Sequence, residues 1–162
     1  MTVMQRKKQL IHERVDSNPD ALKGLKISRA ITLAIILTRL ALTVYDIVFL
    51  LNASLPLPVL SYVAFGLGLI VCYLFIDGNR IMGYVLLIAA VVRALYHLAS
   101  VFPILPEGAA SVAFTVITLA VLALQAVLAI IPNINKKCLC YAVEMQKINY
   151  AMQDELSHFT KK

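Results

Sequence analysis

Four side chains that can carry charge lie where the sequence is otherwise almost wholly apolar. Arg39 and Asp46 interrupt one apolar run, and Arg93 and His97 interrupt another. Arginine binds carboxylates and phosphates through paired hydrogen bonds from a planar guanidinium, and histidine can gain or lose a proton near neutral pH. With one acid for these two arginines, the pattern predicts that one arginine is left to bind an anionic group.

The spacing of the polar residues places them on one face of each predicted helix. Residues three or four positions apart lie on the same side of an α-helix, and the polar residues of both runs follow that spacing. A further run contains a glutamine that could line a polar path or hydrogen-bond a neighbouring helix. The candidate ligand-binding residues are Arg39, Thr43, Asp46, Arg93, His97, Ser100 and Gln125.

A purely structural interpretation accounts for the same residues. A charge at the centre of a membrane costs about 2.5–3.5 kcal/mol, so charged side chains there need partners whatever their role. Asp46 could pair with Arg39 or with Arg93, and Arg93 could also contact His97. Such pairs could do no more than hold helices together. Both interpretations stay open at this point.

The elements that would position these residues are four apolar segments. Of 162 residues, 60% are hydrophobic and 15% are charged, against roughly 45–50% and about 25% in soluble domains. About 20 helical residues cross a hydrocarbon layer of about 30 Å, and helices satisfy the backbone groups that lipid cannot. We therefore predict an all-α integral membrane protein, a four-helix bundle with transmembrane helices at 27–51, 59–76, 81–102 and 109–131.

Basic residues predict how these helices are oriented. Six lysines and arginines precede the first apolar segment, Arg80 lies in the short turn "DGNR", and Lys136 and Lys137 follow the last segment. The Pro-rich loops "ASLPLP" and "PILPEG" contain neither lysine nor arginine. Because cytoplasmic loops are enriched in these residues, both termini are predicted to be cytoplasmic, in a multi-pass protein of the plasma (cytoplasmic) membrane.

Two cytoplasmic flanking segments, both expected to be amphipathic, complete the predicted domain organisation. Residues 1–26 are basic, and Ser17 or Asn18 followed by Pro19 has the pattern of a capped helix start. Residues 132–162 are predicted to form a helix that lies on the membrane surface or pairs with another helix. Its apolar stripe consists of Tyr141, Met145, Ile148, Met152, Leu156 and Phe159.

Several classes of function find no support in the sequence. It contains no nucleophile, phosphate-binding or zinc-protease motif and no paired carboxylates in the apolar segments, so we expect no enzyme, cofactor or metal site. Cys138 and Cys140 are too few ligands for zinc. The net charge of +6 is concentrated near the chain ends, where membrane topology accounts for it without nucleic acid.

The sequence therefore favours a small oligomeric transporter or channel-like protein whose Arg/Asp/His site takes an anionic solute or a lipid headgroup. Four short helices enclose little space in one subunit, so a path would form more naturally between subunits of a homo-oligomer surrounded by membrane lipids. The alternative is a non-transporting accessory, regulatory or immunity-type membrane protein. In that case, the charged side chains inside the membrane would pair with those of a partner subunit.

Overall fold

A computed structural model of the protein describes residues 3–55, 59–76 and 78–160, and all side chains in these ranges except 59–62, 64 and 156–160. Every regular element within these ranges is helical, so the all-α prediction is confirmed. The elements are α1 (Val3–Ile11), a π-helical turn (His12–Asp16), α2 (Pro19–Asn52), α3 (Val59–Ile76), α4 (Ile81–Tyr96), a second π-helical turn (His97–Val101), a 3₁₀ turn (Phe102–Ile104), α5 (Ala109–Ile134) and α6 (Lys136–Thr160).

Helix α2 begins at Pro19, within the basic segment, rather than at the start of the apolar run at residue 27. The side-chain oxygen of Asn18 accepts hydrogen bonds from the backbone N–H groups of Asp20 and Ala21, at 3.2 and 3.3 Å. Pro19 has no backbone N–H that would need such a partner. Asn18 is thus the N-cap, one of the two residues that the sequence pattern predicted.

Helices α2, α3, α4 and α5 pack as a ring in which consecutive helices are neighbours and α5 closes against α2. Thr38 of α2 meets Gln125 of α5, and further along α2 the ring of Phe49 stacks on that of Phe114, with 4.1 Å between ring centroids. Residue numbers rise along α2 as they fall along α5, so these two helices are antiparallel.

Helices α4 and α5 are antiparallel as well. Gly83, near the start of α4, approaches the backbone of Ala129, and His97, just after its end, lies close to Thr115. Since α2 and α4 both run opposite to α5, they are parallel to each other. This arrangement brings the polar faces of both helices toward the interior of one bundle.

Within the described ranges, three helices are long and apolar enough to cross a membrane: Pro19–Asn52, Ile81–Ile104 (α4 with the two short turns that follow it) and Ala109–Ile134. Helix α3 has 18 residues, and its described side chains include the apolar stretch Phe65–Ile76. Large apolar side chains cover much of the outer surface of the bundle, including Leu33, Leu67, Ile88 and Val116. An outer surface of this kind suits contact with lipid.

The predicted apolar stripe of α6 is covered by the N-terminal segment of the same chain, so it pairs with other helices. Arg6 of α1 donates two hydrogen bonds to Glu155 of α6, both at 3.1 Å, and this bonding raises the pKa of the guanidinium. The stripe residues Leu156 and Phe159 have side chains outside the described set. The packed residues, which we call the terminal cluster, are Leu10, Val15, Ala21, Leu25, Tyr141, Met145, Ile148 and Met152.

Three contacts hold the terminal cluster against the bundle. A Cβ atom at Gly24 would overlap the backbone carbonyl of Lys137, so glycine allows α2 and α6 to touch. The Tyr141 hydroxyl donates to the carbonyl of Ile76 at 2.6 Å. Gly78, whose φ of +85° favours glycine, lies so close to α6 that an added Cβ would be 2.6 Å from a side-chain carbon of Met145.

Charges introduced into the terminal cluster should release α6. Met145→Glu with Met152→Glu would place two carboxylates at positions that are at most 8% exposed, and an unpaired buried charge costs several kcal/mol. We expect limited proteolysis to cut α6 at least about tenfold faster, because cleavage follows the undocked fraction. Val143→Glu with Gln153→Glu adds the same charges at exposed positions and is the control. Equal cleavage rates for the two double variants would contradict the packing.

Candidate functional site

A salt bridge across the bundle interior joins the parallel helices α2 and α4. The Nη2 atom of Arg93 lies 2.7 Å from Oδ2 of Asp46, and the exposed fractions of the two side chains are 20% and 17%. The other carboxylate oxygen, Oδ1, is buried and accepts no hydrogen bond from the described residues. Of the pairings that the sequence leaves open, the structure thus shows Arg93 with Asp46.

Arg39 is buried in the same interior, with 7% of its surface exposed. It forms no salt bridge with any carboxylate in the described part of the chain, and its Nε atom is buried there without an acceptor. Seven residues, or about 10.5 Å along the helix axis, separate it from Asp46, which is already engaged with Arg93. Arg39 is therefore a buried guanidinium whose charge no described acid neutralises.

A glycine of α3 makes room for the Arg39 side chain. The guanidinium lies against Gly68, where a Cβ atom would overlap its Nη1 nitrogen. Cys72, one helical turn further along α3, is fully buried. Since no larger residue fits at position 68 with Arg39 in this place, Gly68 is a positioning residue for the guanidinium.

His97 lies where α4 widens into the second π-helical turn. Its Nε2 atom is 3.4 Å from the hydroxyl oxygen of Thr115, and its ring packs on Phe114 with 5.3 Å between ring centroids. Both partners belong to α5. The structure thus joins the buried imidazole to α5 rather than to Arg93, and π-helical turns of this kind occur frequently at functional sites.

Ser100 departs from the face that the sequence predicts. Its side chain is exposed, although α-helical spacing would align it with Arg93 and His97. The residues His97–Val101 form i→i+5 bonds, which widen the turn and rotate the residues after His97 out of α-helical register. Ser100 therefore lies outside the group of interior polar residues.

The remaining predicted residues, Gln125 and Thr43, differ in burial and in their hydrogen-bond partners. Gln125 is buried, and its Nε2 group donates a hydrogen bond to the hydroxyl of Thr38 at 3.3 Å. Thr38 directly precedes Arg39 in the sequence. The half-buried Thr43 donates its hydroxyl proton to the backbone carbonyl of Arg39 at 2.8 Å. Gln125 thus lines the interior, whereas the hydroxyl of Thr43 makes its hydrogen bond within α2.

Two buried threonines of α5 were not among the predicted ligand-binding residues. Thr115 contacts His97, and the Thr118 hydroxyl is buried without a partner among the residues described. The register of α2 against α5 puts Thr118 at the depth of Asp46, whose Oδ1 atom is also unpaired. The helical spacing of the buried polar residues of α5 already predicts that they share one face. These residues are Ser111, Thr115, Thr118 and Gln125.

A small cavity adjoins the salt bridge. Its volume is about 20 Å³, and its lining includes Asp46, Arg93, Tyr96, His97 and Phe114. One water needs roughly 10–15 Å³ and two to four polar partners, so the cavity can hold about one water and no larger solute. Across the described ranges, no group of three or more His, Cys, Asp or Glu residues is arranged to hold a metal ion.

Comparison with known proteins gives no match for this chain. No protein-family model matches the chain, and no match is found among curated proteins or among solved structures. The buried polar side chains described above are therefore the basis on which function is inferred.

Proposed function

We propose that the protein is a small oligomeric transporter of four transmembrane helices that binds an anionic solute at Arg39. The observation that carries this proposal is the buried guanidinium that no described acid neutralises. An unpaired charge at this depth of a membrane would cost about 2.5–3.5 kcal/mol, and an anionic ligand would remove much of that cost. Arg93 and Asp46 are neutral as a pair, so the attraction for an anion is centred on Arg39.

The direction of the helices supports a four-span arrangement. Helices α2 and α4 are parallel, and α3 connects them and packs against both. If α2 and α4 cross a membrane in the same direction, α3 must return the chain between them. Its 18 residues are about 27 Å long, close to the thickness of a thin bilayer core.

Cysteine labelling tests the orientation that the basic residues favour, with both termini in the cytoplasm. In a variant whose native cysteines are replaced by alanine, Ser54→Cys and Glu107→Cys should each react with a membrane-impermeant maleimide on intact cells. Lys136→Cys should react only after permeabilisation. All three positions are exposed, so differences in rate report the side of the membrane. The reverse order would contradict the proposed topology.

Buried polar side chains at several depths of the bundle support transport rather than binding alone. Such side chains can exchange hydrogen bonds with a solute that passes along them. The cavity beside the salt bridge is too small for that passage, so transport requires either helix movement or a path between subunits. The buried polar residues, ordered roughly from the end that carries the termini, are Ser28, Thr32, Arg39, Gln125, Thr118, Thr115, His97 and Ser111.

Replacing Arg39 tests the anion site directly. Liposomes containing the purified protein should show uptake of at least one of three probes, inorganic phosphate, chloride or lactate, above that of protein-free liposomes. Arg39→Gln should lower this uptake by at least about tenfold, since a hydrogen bond to a charged group contributes about 1.5–3 kcal/mol. Arg39→Lys should give an intermediate rate, because it keeps the charge but not the planar fork.

Arg29→Gln is the matched control, because Arg29 is an exposed arginine of the same helix. Its uptake rate should equal that of the parent. Equal uptake by the parent and by Arg39→Gln would contradict a role for the buried guanidinium. If no probe is taken up, the transport proposal fails, and a membrane partner that is lost on Arg39→Gln would then support the accessory function.

A further inference from the structure

A second, larger cavity lies at the opposite end of the bundle from the salt bridge, where the turn between α3 and α4 meets α6. Its volume is about 440 Å³, within the range of about 300–1,000 Å³ typical of small-ligand sites. Asn79, Arg80 and Tyr84 form one wall, and Gln146 and Asn149 of α6 form the other. The lining contains none of the charged residues of the bundle interior, so this is a separate site.

Helix α6 lines the cavity with a face different from the one that it buries in the terminal cluster. Ala142, Gln146 and Asn149 follow spacings of four and three residues and lie on one side of the helix. The adjacent side carries Met145 and Ile148, which are fixed in the terminal cluster. Because that packing holds α6 in place, the two walls face each other in a defined geometry.

The polar groups of the cavity suit an anion that also carries hydroxyl groups. Arg80 is exposed and forms no salt bridge with the residues described, so its guanidinium can bind a phosphate through paired hydrogen bonds. The side-chain oxygen of Asn79 accepts from the N–H of Ile81 at 3.1 Å, which leaves its amide N–H groups as donors. Asn149 can both donate to and accept from a hydroxyl.

We propose that this cavity binds a phosphate-bearing headgroup that carries hydroxyl groups, such as the glycerol phosphate of an anionic phospholipid. The lipid source rests on the proposed topology, in which the turn between α3 and α4 lies at the cytoplasmic surface, where basic pockets bind anionic headgroups. Ile81 and Tyr84 are 67% and 53% exposed beside the cavity, and they offer an apolar surface to acyl chains. A soluble organophosphate has the same headgroup chemistry without the chains.

Native mass spectrometry of the full-length protein in mild detergent tests this proposal. The probes are the dioleoyl forms of phosphatidylglycerol, phosphatidylcholine and phosphatidic acid, together with glycerol 3-phosphate. The parent should retain phosphatidylglycerol in preference to phosphatidylcholine. Arg80→Gln should reduce that preference at least about fivefold, the effect of one basic side chain near an anionic membrane surface. Arg29→Gln, which removes an exposed arginine outside the cavity, should leave the preference unchanged.

A second variant separates recognition of the hydroxyl groups from recognition of charge. Asn149→Leu should weaken retention of phosphatidylglycerol relative to phosphatidic acid, which has the phosphate but no headgroup glycerol. Glycerol 3-phosphate binding as tightly as the lipid would support the soluble source. Equal preference in the Arg80→Gln and Arg29→Gln variants would overturn the proposal. Because the readout is the difference in headgroup binding between the Arg80→Gln and Arg29→Gln variants, its outcome does not depend on solute uptake at Arg39.

Discussion

Gly68→Ala is expected to weaken anion binding at Arg39 strongly, although it adds only one methyl group. The new Cβ atom would occupy the position of the Arg39 Nη1 nitrogen, so the guanidinium has to leave its place against α3. We expect uptake of the transported probe to fall by at least about tenfold, as for loss of the charged hydrogen bond itself. Because the new Cβ meets only the far end of a flexible side chain, we expect the variant to fold and the loss to appear in uptake.

Gly66→Ala is the matched control for this variant. It adds the same methyl group to the same helix, but apart from the adjoining residues and backbone of α3 itself, no described heavy atom lies within 4 Å of the new Cβ. Alanine also favours a helix over glycine by about 0.5–1 kcal/mol, so the control should be as stable as the parent or more stable. If both alanine variants keep full uptake, the placement of Arg39 against α3 is wrong.

Asp46→Asn is expected to be the most destabilising single change in the bundle interior. It removes the carboxylate that neutralises the half-buried Arg93, so that neither Arg93 nor the buried Arg39 has an acid partner among the described residues. Each uncompensated charge inside a membrane costs about 2.5–3.5 kcal/mol, so we expect a loss of this size in the free energy of unfolding. Denaturant titration of the purified protein in mixed micelles measures it.

A double-variant cycle identifies the partner of Asp46. Asp46→Asn with Arg93→Gln should recover most of the lost stability, because both charges of the pair are then absent. Asp46→Asn with Arg39→Gln should show additive effects within about 0.5 kcal/mol, as expected for residues that do not interact. Greater coupling with Arg39 than with Arg93 would contradict the observed salt bridge.

Features that depend on neighbouring residues could be predicted from the sequence. The three long apolar helices found in the described ranges follow from long, mostly apolar runs, because a helix satisfies the backbone groups that lipid cannot. The cap at Asn18 follows from one short side chain ahead of a proline. Helix α2 begins earlier than its apolar run because helix formation there depends on this cap and not on hydrophobicity.

The pairing inside the bundle could not be predicted in the same way. Helical spacing shows which residues share a face, but the rotation of each helix about its axis decides whether Asp46 meets Arg39 or Arg93. That rotation depends on contacts such as the close approach of Arg39 to Gly68, which the sequence shows only as one more small residue. Ser100 does not lie on its predicted face because it belongs to a π-helical turn. The composition of the five residues in that turn does not distinguish them from an α-helix.

The residues that cover the apolar stripe of α6 also could not be predicted from the local sequence pattern. A stripe at spacings of three and four residues predicts which side of α6 is buried, and that side is the one in the terminal cluster. It does not predict what buries it, because a membrane surface and another helix both accept an apolar face. Ile11 and three polar residues separate the covering residues Leu10 and Val15, and this short pattern does not identify them as the partner of α6.

The terminal cluster has a consequence for how the protein is made. The hydrogen bonds between Arg6 and Glu155 join residues that are 149 positions apart, so α1 leaves the ribosome well before α6. Until α6 has been synthesised, the apolar side chains of Leu10 and Val15 lack the partner that buries them. A chain that does not yet include α6 therefore displays an apolar surface that is buried once α6 has packed. Chaperones and proteases act on such surfaces, so copies that stall or are cut before α6 should be cleared faster than copies that contain it.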